Sequence, residues 1–547
     1  MAGVHRRHAW LCLLPAALLL PFLNKAFNVD DGFFLDYARI LSQNPLTPFG
    51  RAFFFNGQET TLFEQPQPLG WSYLLALARV LAGESEPLLH LLNLGFAVLG
   101  LHALRQIAER LGVSALAACW LFAGSSVFLA LGSTVMPYLA WSALSLAALA
   151  RLVRGVDEGR TADLVAAGLL AGGAFLCSFA GGVVIGLLAV YPLLAGRLSR
   201  RTLVAAAVGV AVVVAYEVWA LGAAGAPHFL STLSRWSARQ TLRKALAVGS
   251  TEAALLGAQL PVLGLPLVAI ALGRRRGPWI VMAALMASLA FWLEIPRINP
   301  LPRALLWVWP GLALLGDGLL QIARRAAERL RGWAPGGGAL RALLGLWLLA
   351  GTFATVRYVN HSAKYMLLAL PAALLLTLDA LQGLEGRRLL LGRWALALSL
   401  PLSLGLGSLV ALSDYRWASL SRAFFADRYP SVAPTSGVAY YDGEWGMRYY
   451  AERAGLLQYR GQALRPGDRV LYSNLEGRLV LEPCPSPRPT VCEPAQALRT
   501  VAVLEVGYPG PFAILGDRAG FYSDHMGPYS YTLVRRFSDH IVVQEQP

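Results

Sequence analysis

Apolar runs of about 18 to 20 residues recur along most of this chain, and each is long enough to cross roughly 30 Å of hydrocarbon. That repetition makes the chain a multi-span membrane protein. Composition agrees: of 547 residues 56% are hydrophobic and only 14% are charged, whereas a soluble domain carries about a quarter charged. The net charge of +15 would suit nucleic acid if it formed a compact basic domain. The basic residues fall instead in short loops between the runs, where they set orientation, so nucleic acid is excluded as a partner.

The start, HRRHAW followed by LCLLPAALLLPFL, has the basic and apolar regions of a secretory signal. No small-x-small cleavage site follows it, so an uncleaved first span, about Trp10 to Phe27, is expected, with Arg6 and Arg7 in the cytoplasm. Residues 28–86 are too polar for a span and hold two amphipathic pieces, near Phe33 to Leu41 and Pro68 to Gly83, expected to lie at the outer interface. Spans then follow at about Leu88–Leu104, Ala115–Leu131, Tyr138–Ala150, Leu164–Leu176, Val183–Leu194, Leu203–Leu221, Ala253–Leu272, Trp279–Leu293, Leu305–Leu320, Leu340–Thr355, Tyr365–Leu381 and Trp394–Leu412. The count is about 13, with basic loops such as Arg151/Arg154/Arg160 and Arg387/Arg388/Arg393 inside each time.

From residue 413 the chain changes character. Short alternating runs (RVLYS, RTVAVLEV, YTLVRRF) are separated by turns such as RPGD and YPGP and predict an α/β domain over 413–547. Parity places it outside, behind a membrane domain of residues 1–412. Cys484 and Cys492, in CPSPRPTVC, are spaced to allow a disulfide in an oxidising compartment. Cys12, Cys119 and Cys177 fall in spans, as small packing residues. No Walker loop, HExxH or zinc-type Cys/His array is present, and the glycines of GGAFLCSFAGG suit close helix packing better than phosphate binding.

One short stretch carries chemistry. Directly after the first span, FNVDDGFFLDYAR puts Asp30 and Asp31 at the mouth of the bilayer. A carboxylate held there can act as general base for an acceptor hydroxyl or amine attacking a lipid-linked electrophile. The leaving phosphate then needs cationic partners. Lys364 opens a late span at the outer face behind Arg357, and the outer loop SRWSARQTLRK brings Arg235, Arg239, Arg243 and Lys244 against the inner bias. Lys364, Arg357, Arg239 and Arg243 are the candidate donor-phosphate ligands. Both acids are expected in an exposed loop, where replacement by Asn barely alters stability.

NKAFNVDDGFFLDYARILSQNPLTPFG, PQPLGWSYLLALA and KYMLLALPAALLL resemble the bacterial members of glycosyltransferase family 39, the protein O-mannosyltransferases and lipid A aminoarabinose transferases of GT-C fold. GEWGMRYYAERAG and AGFYSDHMGPY resemble the external tail of one branch of them. The resemblance implies that one acid of the pair, on the family motif Asp30, is the catalytic base. The outer-loop motif reads QPQPL at Gln65 to Leu69, without the family's histidine, and Ser178 stands where many members have a lysine. The implied activity moves a sugar from a polyprenyl-phosphate carrier to an envelope glycolipid, polysaccharide or protein at the outer face of a bacterial inner membrane. No cofactor is required by the sequence, and two acids alone leave divalent-metal dependence open. A transporter would show mid-span charges and inverted repeats. A non-catalytic envelope scaffold would tolerate loss of both acids.

Overall fold

The structure, a computed structural model, describes residues 9–55, 57–237, 255–257, 301–330, 338–353, 362–474, 498–516, 519–522 and 530–547. The first apolar run is 3-10 rather than α-helical, in two pieces, Ala9–Cys12 and Leu14–Phe22. Pro15 and Pro21 remove two backbone donors from the run, and proline within a helix breaks the regular ladder. The narrower, more tightly wound 3-10 helix rises about 2.0 Å per residue, so few residues reach far.

The helices then follow as α1 (Asp31–Gln43), α2 (Gly70–Ala82), α3 (Glu86–Leu111), α4 (Ala115–Ala123), α5 (Ser126–Gly132), α6 (Tyr138–Glu158), α7 (Thr161–Cys177), α8 (Gly182–Ala195), α9 (Val204–Ala224) and α10 (His228–Ser237). Beyond them lie α11 (Leu301–Leu330), α12 (Gly338–Phe353), α13 (Met366–Gln382) and α14 (Arg387–Ala423). Among the described residues five helices are long and apolar enough to cross a membrane, or six when the bent pair α4 and α5 counts as one. The expected 13 spans are therefore not reproduced. The run at 115–131 breaks by 62° where Ser125 caps α5 with its side chain. The runs at 164–176 and 183–194 form helices of 17 and 14 residues. The runs at 253–272 and 279–293 lie outside the described residues but for 255–257. The last run belongs to a helix of 37 residues, much longer than Trp394–Leu412.

Packing explains the glycines of the fifth run. A Cβ on Gly172 would lie 2.6 Å from Cβ of Val212, so α7 and α9 approach as closely as two backbones allow. At the centre, α13 is enclosed almost throughout. Its charged residues lie at its two ends, with Lys364 just before it and Asp379 in its last turn.

Between α1 and α2, strands β1 (Ala52–Phe55) and β2 (Gln58–Thr61) pair as a hairpin. Phe33 and Tyr37 of α1 pack their rings on Phe53, and Phe33 also on Phe55. For that reason α1 is buried rather than lying on an interface, whereas α2 exposes Leu74, Leu77, Val80 and Leu81 as an interfacial helix does.

After α14 comes a five-stranded mixed sheet. In order across it stand β4 (Leu457–Gln458), β3 (Ala439–Tyr441), β5 (Arg469–Ser473), β7 (Arg536–Glu545) and β6 (Arg499–Pro509). The first three are parallel, and β7 is antiparallel to both its neighbours. The connection from β3 to β4 carries helix α15 (Trp445–Arg453), which faces the membrane helices.

Candidate active site

Asp30 and Asp31 sit where α1 begins, and their two carboxylates face different surroundings. The Asp30 side chain keeps 25% of its surface exposed, and its Oδ2 accepts a hydrogen bond from Lys364 Nζ at 2.8 Å. Lys364 lies in the turn before α13, 5.4 Å from the ring centre of Tyr138 and 5.6 Å from that of Tyr365. The aromatic faces give its ammonium additional stabilisation. The sequence singled out both residues for their chemistry, and the fold brings them into contact across 334 positions.

Asp31 is fully buried. Its Oδ2 accepts from the Asn28 amide at 3.0 Å and its Oδ1 from the Val135 amide at 2.9 Å. Burial pushes its carboxyl up to about 7, against the pull of Lys25 and of those two amides. Val135 belongs to the bend between α5 and α6, which Trp71 Nε1 also holds, donating to the Val135 carbonyl at 2.7 Å. Asn93 Nδ2 donates to the Thr134 carbonyl at 2.5 Å. Asp31 thus ties the acidic turn to the bend that carries Tyr138 to Lys364. The expectation that Asp31 lies in an exposed loop is corrected: an amphipathic pattern does not tell the membrane face from the protein face.

The backbone leading into the pair is strained. Val29 has φ +49°, a left-handed conformation that costs a β-branched residue about 1–3 kcal/mol. Asn28 holds it there. Its Oδ1 accepts from the Val29 amide at 2.8 Å and from the Gly446 amide of α15 at 3.1 Å. A Cβ on Gly446 would stand 2.9 Å from that oxygen, so only glycine fits. Tyr450, one turn later, receives the Phe27 amide at 3.0 Å and donates to Glu86 at 2.9 Å.

Beneath the turn lies a group that sequence reasoning missed. Lys25 pairs with Asp414 of α14, both side chains about 1% exposed, and Tyr522 donates to the same Asp414 oxygen at 2.9 Å. An acid inside a hydrophobic helix was the available signal. Its partners, one at the end of the first span and one near the end of the chain, carry no local pattern. A second charged group ties α1, α2 and α15 together. Arg39 binds both Glu84 oxygens at 2.9 Å, Arg79 adds a bond at 2.5 Å, and Arg448 joins Asp36 to Glu444. Burial alone would raise Glu84, but the two guanidiniums outweigh it and hold the carboxyl at about 2.

The remaining candidates separate. Arg357, Arg239 and Arg243 lie outside the described residues, as do Cys484 and Cys492. Arg235 donates to the carbonyls of Phe63 and Glu64 at 3.2 and 2.8 Å, so it ties α10 to the loop before QPQPL. In that motif the Gln65 carbonyl lies 2.9 Å from Nε2 of His228. A histidine at the start of α10 therefore reaches a motif that lacks one, and burial pushes it down to about 4. Ser178 is buried at the break after α7. Cys12, Cys119 and Cys177 are buried as expected. Among the described residues no three of His, Cys, Asp and Glu gather in a way that could hold a metal ion. What the arrangement offers is a partly exposed carboxylate, an adjacent ammonium and a rigid mount for both.

No family model and no curated protein sequence matches the chain. Solved structures similar to it include the oligosaccharyltransferase of Archaeoglobus fulgidus, tethered with an acceptor peptide, at TM-score 0.46 and 14% identity over 82% of this chain. The chain spans 63% of that protein's length. ArnT from Cupriavidus metallidurans in the apo state has TM-score 0.43 and 13% identity, covering 99% of this chain and 98% of ArnT. The arabinosyltransferase EmbB of Mycobacterium smegmatis has TM-score 0.35 and 18% identity, covering 75% of this chain and 40% of EmbB.

Proposed function

We propose that the protein is an integral-membrane glycosyltransferase that moves a sugar from a polyprenyl-phosphate donor to an envelope glycolipid, polysaccharide or protein. Asp30 is the general base and Lys364 the partner of the leaving phosphate. One observation carries the reading: an acid suited to take the acceptor's proton and a cation suited to the leaving group stand 2.8 Å apart. The family resemblance points to the same two positions. A lipid-linked donor enters sideways from the bilayer, and an outer-facing site has no nucleotide sugar to use.

The ion pair supplies a working order. With no donor bound, Lys364 neutralises Asp30. An arriving donor phosphate competes for the ammonium and releases the carboxylate. Asp30 then takes the proton of the acceptor O–H or N–H as that atom bonds to the anomeric carbon. The bond from the anomeric carbon to the phosphate oxygen breaks, and its electron pair leaves on the polyprenyl phosphate beside Lys364. Asp31, with both oxygens on backbone amides, keeps the turn in place rather than touching the acceptor.

The test is complementation of a deletion strain, read by mass spectrometry of envelope glycans and polyprenyl-phosphate sugars. Loss of a general base lowers rates by about 10²- to 10⁴-fold. Asp30→Asn should accumulate lipid-linked sugar at normal membrane abundance, and Lys364→Met should lower donor affinity and turnover together. Full glycan transfer by the Asp30→Asn/Lys364→Met double variant would sink the proposal and favour a scaffold.

A further inference from the structure

The end of the bundle opposite Asp30 holds a site of its own. Helices α11, α12, α13 and α14 there border a half-open cavity of about 840 Å³, lined by five arginines and three acids. It lies at the far end of α13 from Lys364, a helix of 17 residues and so about 25 Å away. It is therefore separate from the donor site proposed above and does not rest on that reading.

Not every charge in the lining is committed. Arg341 is spent on Asp379, through bonds of 2.7 and 2.8 Å. Arg325, 2% exposed, holds the Leu194 carbonyl and Glu328. Among the described residues Arg324, Arg387 and Arg388 make no side-chain ion pair, and Glu385 is the one acid of the lining left beside them. Three unpaired guanidiniums against one carboxylate leave a cavity of net charge +2 that is open to an anion.

The flanks of the cavity select among anions. Leu320 precedes Arg324 by four residues on α11, and Leu390, Leu391 and Trp394 follow Arg387 at helical spacing on α14. Residues at that spacing share a helix face. All four are exposed, Trp394 by 61%. Each cationic position thus continues, within one or two turns, into an apolar stripe, with a tryptophan of the kind that marks membrane interfaces. A free phosphate would use only the arginines. An amphiphile uses both.

We propose that this cavity binds the headgroup of an anionic phospholipid. Its phosphate faces Arg324, Arg387 and Arg388, and its acyl chains lie along Leu320, Leu390, Leu391 and Trp394. Basic pockets between membrane helices recognise such headgroups, and each arginine near a membrane surface strengthens attachment by about fivefold. The lipid bridges α11 to α14.

The test uses the full-length protein in detergent, titrated with mixed micelles of phosphatidylcholine with or without phosphatidylglycerol, and separately with inorganic phosphate. Native mass spectrometry and thermal melting read binding. Phosphatidylglycerol should bind and raise the melting temperature. Arg387→Gln/Arg388→Gln should weaken binding about 25-fold while melting in phosphatidylcholine alone stays unchanged, since both side chains are exposed. Equal binding by wild type and variant overturns the site. A full response to inorganic phosphate alone overturns the lipid as its occupant.

Discussion

The Asp30 carboxylate is a quarter exposed beside Lys364, whereas the next carboxylate along is enclosed and occupied by two backbone amides. Their variants should therefore behave differently. Asp31→Asn keeps an acceptor for one amide and leaves the other facing an NH₂ group, which costs about 1–3 kcal/mol. Reduced membrane abundance and a lower melting temperature should show it, while Asp30→Asn retains normal abundance. The protonation of Asp31 adds a pH signature. Its folded value of about 7 lies above the ordinary 3.8, so the folded chain holds the proton more tightly than the unfolded one. The stability this provides is complete below about pH 3.8 and is lost as pH rises through 7. Melting curves from pH 5 to 8 should fall more steeply for wild type than for Asp31→Asn. The sequence could name the acidic pair, because position after a span and residue type were enough. It could not divide the two roles, because that depends on the Val135 amide, which lies 104 residues away.

At the level of elements, the acidic turn is held by three parts of the chain: the bend before α6, the end of α14 and the helix α15. Gly446→Ala places a methyl against Asn28 Oδ1 and should push α15 off the turn, increasing proteolytic cleavage of the tail in intact membranes. Lys25→Met leaves Asp414 buried without its cation, a loss of about 3–5 kcal/mol. The second change Asp414→Asn should recover most of it, as melting of the detergent-solubilised protein would show. These elements were only partly legible. Apolar length located α3, α6, α9, α13 and α14, which depend on composition alone. It did not reveal the 3-10 path of the first run, which carries Pro15 and Pro21, or the break between α4 and α5, where a serine cap bends one apolar run into two helices. The lysine–aspartate–tyrosine group could not be read at all, since burial and long-range pairing leave no local period.

Across the whole molecule, the charged groups gather at the two ends of the bundle: Asp30, Lys364, Glu84 and Arg448 at one, and Arg325, Arg341, Asp379 and Arg388 at the other. The loop-charge pattern predicts that the first end and the tail lie outside. Fusions after Pro547 should then give activity to a periplasmic reporter and none to a cytoplasmic one. The opposite result would turn the proposed donor site to the wrong face. The docking of α15 on Asn28 and of Tyr522 on Asp414 also bears on how the protein is made. Residues 28–31 leave the ribosome long before Tyr522. A nascent or prematurely terminated chain carries the acids without Gly446 and Tyr522, the contacts that seat the turn. On the proposed function, activity should therefore appear only after residues 446–522 have been made and have docked.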